Sequence, residues 1–311
     1  MASTILAVAS STSTSAAAAP APDPARLFVD PAQAAAYAQH RPTYPQALYD
    51  AIYARALPGR PGPPFPDLTA VDIATGSGQA LGPLPRDFGT CIALDTSEAQ
   101  LQRLPPHVAA RVRAQVGDAH ATGLPAGSAD LVVVGQAMHW FRLPEFYREV
   151  RRILKPGGAL ASWCYGFGTL SGFPGAQEFF EDFHSGPDWL GPHWAPGRLL
   201  VDNAYRGIEP GPEHFASLER VELAMPATLT LDDMVGLIQS WSARVSYLKA
   251  RPQDPDPAEA FRAEAVRRIR TQRDGSEGGA KGAGAGGDEG SSPLHLDRTL
   301  TLLLARGPQP L

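Results

Sequence analysis

The chain has 311 residues, 43% of them hydrophobic and 19% charged, with a formal net charge of −5. That composition suits one large globular domain with appendages, without the basic footprint of a nucleic-acid binder. No apolar run approaches the roughly 20 residues of a membrane helix, and the two cysteines, Cys91 and Cys164, read as buried reduced thiols.

In chain order, the first 24 residues are rich in Ala, Ser, Thr and Pro, with no acid before Asp23 and no arginine before Arg26. They read as a disordered leader or a transit peptide. A transit peptide would send the protein to a chloroplast or mitochondrion; without one the expectation is cytoplasmic. Residues 31–40 predict a helix with Pro31 in its first turn. RPTYP, residues 41–45, is held extended by its two prolines. Residues 46–56 predict a second helix, with Leu48, Ile52 and Tyr53 on one face.

The stretch 70–80, AVDIATGSGQA, reads as an apolar strand ending in a glycine-rich turn that opens a helix. Val71 and Ile73 suit a buried strand, Asp72 places a carboxylate where strand meets turn, and Gly76 and Gly78 let the backbone bend sharply or approach a ligand closely. Further strands are expected at 91–94, 112–116, 131–134 and 159–165. A capping box, Ser97 with Gln100, opens a helix after the first of these. Residues 144–154 give an amphipathic helix with Phe146, Val150, Ile153 and Leu154 on one side, stopped by Pro156, Gly157 and Gly158. Residues 167–213, with aromatics among glycines and prolines, read as an insertion over the carboxyl end of the sheet. They contain helices near 176–183 and 196–205. A short strand at 221–224, a helix over 231–248, an Arg-rich helix with a solvated face over 257–273, a flexible loop at 274–292 and a closing strand at 294–305 complete the chain. Strands alternating with helices predict an α/β fold with a doubly wound, mostly parallel sheet of seven strands, plus a helical insertion and lid.

Four strand ends then carry polar or turn groups: Asp72 with the Gly76–Gly78 turn, Asp95, Asp118 and the segment GQAMHWF at 135–141. In an open parallel sheet, ligands bind outside the carboxyl ends of the strands, so these groups converge on one cleft. Asp95, nineteen residues after Gly76, stands where a carboxylate accepts hydrogen bonds from a ribose diol. Singly, Asp95 also reads as a helix cap and Asp118 as an Asx-turn.

Asp72-Ile73-Ala74-Thr75-Gly76-Ser77-Gly78, Asp95, Asp118-Ala119 and ADLVVVGQAMHWF followed by FYREVRRILKPGG resemble the Rossmann-like S-adenosylmethionine-dependent methyltransferases over residues 41–165. Ala74 stands where that family usually has its first glycine. The resemblance implies S-adenosylmethionine as cofactor, held by Asp72, Ala74, Thr75, Gly76, Ser77, Gly78, Gln79, Asp95, Asp118, Ala119 and Gln136. YAQHRPTYP, QAMHWF and SWS at 240–242 are most similar to the branch that includes trans-aconitate methyltransferases. That implies a small-molecule methyl acceptor, such as a carboxylic acid, for a monomer or homodimer with no nucleic-acid or membrane partner.

His139 is the candidate base at a strand end; the alternative is that it packs with Trp140 beside the cofactor. The segment 25–68 is expected to act as a lid, with Tyr44 brought to the methionine end of the cofactor by Pro42 and Pro45. The cofactor core would span 69–166 and the acceptor side 167–311. A nicotinamide-dependent oxidoreductase shares the strand-end logic but favours Gly-x-Gly-x-x-Gly, which the spacing Gly76, Gly78, Gly82 does not match. A non-catalytic relative that binds the cofactor is the third reading, with Ala74 as its only sign.

Overall fold

The computed structural model describes residues 43–276 and 293–311. The leader, residues 25–42 of the lid segment and residues 277–292 of the loop lie outside the described residues. Helix α1 (Gln46–Ala56) has the length expected from its sequence and buries Leu48, Tyr49, Ile52 and Tyr53. Strand β1 (Phe65–Ile73) follows, starting inside the proline-rich stretch.

The turn after β1 does not open a long helix. Gly76, Gly78 and Gly82 all have positive φ, and with Pro83 and Pro85 close behind the chain makes only a four-residue helix, α2 (Leu84–Asp87). Next come β2 (Phe88–Asp95), the short helices α3 (Glu98–Leu101) and α4 (Pro106–Ala109), β3 (Arg113–Val116) and β4 (Ala129–Gly135). The expected capping box at Ser97 is half formed. Its hydroxyl meets the Gln100 N–H at 3.4 Å, but the Ser97 N–H goes to Asp95 instead of the Gln100 side chain.

Helix α5 (Leu143–Ile153) passes straight into β5 (Leu154–Tyr165). It stops earlier than Pro156 because the residue before a proline is forced into extended backbone. The chain then bends at 166–168 and keeps pairing as the short strand β6 (Thr169–Ser171). Helices α6 (Ala176–Ser185) and α7 (Arg198–Asp202) cross the insertion. Strand β7 (Phe215–Leu229) is far longer than the four residues expected, because β8 pairs with it along its whole length. The helix expected over 231–248 breaks at Ser240 and Trp241 into α8 (Leu231–Gln239) and α9 (Ser242–Ala250). Then follow α10 (Pro257–Ser276) and β8 (Leu294–Pro308).

All seven expected strands are present, with β6 as an eighth. The order is β3-β2-β1-β4-β5-β8, with β6 continuing β5 along one side of β8 and β7 on the other. The first five strands are parallel; β8 is antiparallel to its neighbours. Because side chains alternate along a strand, the apolar run of β4 feeds both faces. Leu131 and Val133 pack toward α1 with Ala161 and Leu302, whereas Val132 and Val134 pack toward α5 with Phe146 and Val150.

A third apolar cluster lies in the insertion. Phe179 and Phe183 of α6, Met234 and Ile238 of α8, and Leu294 and Leu296 of β8 meet there. Helix α10 joins it with Phe261, Ala265 and Ile269, spaced four residues apart. That stripe makes α10 a core helix on one side, and only its Arg-rich side resembles the solvated helix expected. The strand order reverses beside β1, between β2 and β4, and there the cleft opens at the carboxyl ends.

Candidate active site

The cleft is a cavity of about 270 Å³ at the carboxyl ends of β1, β2, β3 and β4. Ala74, Gly76, Asp95, Asp118, Ala119 and Gln136 all line it, so four separate strand ends deliver expected residues to one space. The Asp95 carboxylate fixes two of its walls. One oxygen accepts the Gly76 N–H at 2.8 Å and the other the Ser97 N–H at 2.8 Å. The turn after β1 and the turn after β2 therefore share one anion. Burial raises the Asp95 carboxyl above its ordinary value, against the lowering effect of those N–H bonds.

Asp118 sits on the next loop and is half exposed. Its slight burial works upward, but hydrogen bonds from the His120 backbone and ring outweigh it and hold the carboxyl below its usual range. Gln136 ends β4 in the left-handed region, at φ 55°, where non-glycine side chains are strained. Its amide nitrogen donates to the Tyr165 carbonyl at 2.9 Å, while its buried Oε1 has no hydrogen-bond partner among the described residues. Ala74 is also left-handed, at φ 58°. That explains the glycine usual at this position: backbone conformation, more than space, asks for it. At Gly76, φ 56°, nothing lies within 4 Å of where a Cβ would stand, so that turn faces open space on the cavity side.

The remaining expected residues stand behind this front. Asp72 is fully buried, does not line the cavity, and takes the Thr75 hydroxyl on one oxygen at 2.5 Å. Burial pushes its carboxyl up to about 7, with the Thr75 bond working the other way. Ser77 and Gln79 bond to each other, with the Gln79 amide nitrogen donating at 2.9 Å, and Gly78 abuts Leu104. None of Thr75, Ser77, Gly78 and Gln79 lines the cavity. His139 does not line it either. Its Nδ1 lies 3.1 Å from the buried Tyr205 hydroxyl, and its ring rests 4.8 Å from that of Trp140, which does face the cavity. Tyr44 packs edge-on against Trp163 and Tyr165, with ring centres 5.2 and 6.2 Å away, outside the lining. Sequence reasoning missed Leu94, Thr96, Trp140, Phe141, Arg142 and His120, all of which line the cavity. Only their adjacency to the expected strand-end residues could have marked them.

Two acceptors at the rim, a buried amide oxygen with no partner among the described residues, and apolar walls from Leu94, Ala119 and Phe141 fit a ligand with a diol, a flat ring and a cationic end. A Rossmann-like enzyme with a nucleotide-type cofactor site is the class that this sheet and cleft define.

Comparison with known proteins gives the family. Residues 71–162 match the model of a methyltransferase domain. A Dictyostelium discoideum protein described as a methyltransferase is 34% identical over 71% of this chain and 80% of its own. A Saccharomyces cerevisiae protein described as an S-adenosylmethionine-dependent methyltransferase is 24% identical over 74% of this chain and 85% of its own. A solved structure described as a type II methyltransferase from Anaeromyxobacter dehalogenans is 30% identical, with a TM-score of 0.62 over 86% of this chain and 97% of that one. The chain belongs to the S-adenosylmethionine-dependent methyltransferases, and S-adenosylmethionine is its cofactor.

Two outcomes follow for the turn after β1. Left-handed alanine costs roughly 1–2 kcal/mol, part of which glycine returns through its freer unfolded chain. Ala74→Gly should therefore raise unfolding free energy by about 0.5–1 kcal/mol in denaturant titration. A clear loss of stability would contradict the strain. For Asp72 the folded value lies above the unfolded one. Its contribution is fully present below about pH 4 and is lost as the pH rises through about 7. Asp72→Asn should remove that dependence, so thermal melts of the two proteins should diverge between pH 4 and pH 8, by up to about 4 kcal/mol. Parallel pH profiles would contradict the buried, uncompensated carboxyl.

Proposed function

We propose that this methyltransferase acts on a small organic acid that enters beside the cofactor, under the insertion. The observation that carries this reading is a second cavity, of about 50 Å³, which shares Gln136 with the first. Its walls are aromatic, from Tyr165, Phe167, Phe180, Trp194 and Trp241, and its charged lining groups among the described residues are Arg198 and Arg298. The Arg198 guanidinium lies 3.8 Å from the centre of the Phe167 ring, and that of Arg298 lies 5.2 Å from Tyr165. Aromatic faces and guanidinium groups together favour a small anion with a flat or apolar body. Gln136 of QAMHWF and Trp241 of SWS, both part of the resemblance to trans-aconitate methyltransferases, meet in this cavity, which supports an acid acceptor.

S-adenosylmethionine supplies an electrophilic methyl group on a sulfonium. The protein's own part is to orient the acceptor, bring its nucleophile into line and exclude water. Among the described residues no Asp, Glu or His lines the second cavity. A carboxylate suits that lining, since it attacks as the anion and needs no base to remove a proton. Asp95 and Asp118 hold the cofactor side, Gln136 forms the shared wall, and the two arginines orient the acceptor.

A panel of small carboxylic acids and their amides, assayed by homocysteine release through a coupled hydrolase, tests the proposal. Acids should turn over and their amides should not. Arg198→Met, which removes the guanidinium but keeps an unbranched side chain, should raise KM for the acid by about 10–100-fold, the worth of a charged hydrogen bond. Turnover of amines or phenols with none for any acid would overturn the reading.

A further inference from the structure

Among the described residues His120 is the one histidine that lines the cofactor cavity, and nothing in the chemistry described so far uses it. It sits in the loop after β3, with its side chain only 12% exposed. Both ring nitrogens are engaged. Nδ1 lies 2.5 Å from Oδ1 of Asp118, and the same oxygen accepts the His120 backbone N–H at 2.9 Å. On the other side, Nε2 lies 2.9 Å from the backbone nitrogen of Arg142, at the start of α5. The Phe141 ring meets the imidazole edge-on at 5.8 Å.

These partners decide the tautomer. An ionised carboxylate only accepts, so Nδ1 carries the proton; a backbone N–H only donates, so Nε2 is bare. The neutral ring thus joins two loops that come from different strands, and both loops line the same cavity. The ring Nδ1 and the backbone N–H of His120 both meet the same oxygen of Asp118. We infer that His120 is a positioning residue of the cofactor site: its neutral ring ties the loop after β3 to the loop after β4 and keeps that side of the cavity closed on the cofactor.

Protonation acts on only one of the two bonds. It keeps the Nδ1 proton on Asp118 but places a second donor opposite the Arg142 N–H, so the tie between the loops is lost. The charged groups around the ring are Asp118 on its own loop, Arg142 and its ion-pair partner Glu145 from α5, and Asp95 across the cavity at the end of β2. None of them can replace the lost acceptor at Nε2.

Two substitutions separate the bonds. In His120→Asn the amide nitrogen can stand near Nδ1 and donate to Asp118, but nothing reaches Arg142. In His120→Gln the amide oxygen can stand near Nε2 and accept from Arg142, and it cannot be protonated. The probe is S-adenosylhomocysteine, titrated calorimetrically into the full chain between pH 8 and pH 5.5, so that no acceptor or turnover is needed. The wild type should lose about five- to tenfold in affinity on acidification, the worth of one hydrogen bond. His120→Asn should bind weakly at every pH with a flat profile, and His120→Gln should bind tightly with a flat profile. A histidine that mattered only for stability would move the melting temperature without moving the slope. Wild-type affinity and wild-type slope in His120→Asn, or an unchanged slope in His120→Gln, would overturn the inference.

Discussion

One carboxylate organises the site. Asp95 ends β2 and spends its two oxygens on backbone N–H groups from two different turns, Gly76 after β1 and Ser97 after β2. Bonds from amides to an ionised acceptor are among the stronger hydrogen bonds, and here they span elements nineteen residues apart. That acceptor holds the Gly76 N–H of the glycine turn, and Gly76 lines the cavity. Each oxygen retains a further lone pair, so the same group can serve as an acceptor for a ligand. A structural fastening and a binding function thus coincide in one side chain.

Around that fastening the fold is layered. The parallel half of the sheet is covered by α1 on one face and α5 on the other, and its strand ends line the larger cavity. The antiparallel half belongs to β7 and β8. Its β8 strand reaches past β5 to β6, and so extends the sheet beneath the insertion. Arg298 and Leu296 of β8 and Trp241 after α8 meet Phe167 and Arg198 of the insertion there. Gln136 alone belongs to both cavities. Its left-handed backbone turns the chain out of β4 at the junction, and its side-chain bond to the Tyr165 carbonyl keeps β4 and β5 aligned at that point.

The half up to residue 166 was legible in the sequence because its signals are local. A run such as Leu131 to Val134 can only be a strand buried on both faces, and acids at strand ends share an edge by topology. The half after residue 166 was less legible because its structure depends on distant pairing. The sequence of β7 alternates weakly and carries Arg220 and Glu222 in its middle, so only four of its fifteen residues stood out; β8, eighty residues later, makes it a strand. The break between α8 and α9 came from the Ser240 hydroxyl, which bonds back to the Leu237 carbonyl and gives the backbone an alternative to the helix. His120 was hidden for a related reason. Its value lies in a bond to Arg142, twenty-two residues away, and nothing local announces it. Asp72 and Ala74 were legible as positions, but their condition was not. Full burial of the one and the left-handed backbone of the other are three-dimensional facts.

The central claim is that the cavity fastened by Asp95 binds the cofactor. Calorimetric titration of S-adenosylhomocysteine into the wild-type chain and into Asp95→Ala tests it most directly, with circular dichroism as the check on folding. The account predicts micromolar binding to the wild type, on the order of −7 to −8 kcal/mol. It predicts a loss of roughly 1.5–3 kcal/mol in the variant, whose strand-end position leaves the core intact. No heat from the wild type at millimolar ligand, or equal affinity in the two proteins, would contradict it.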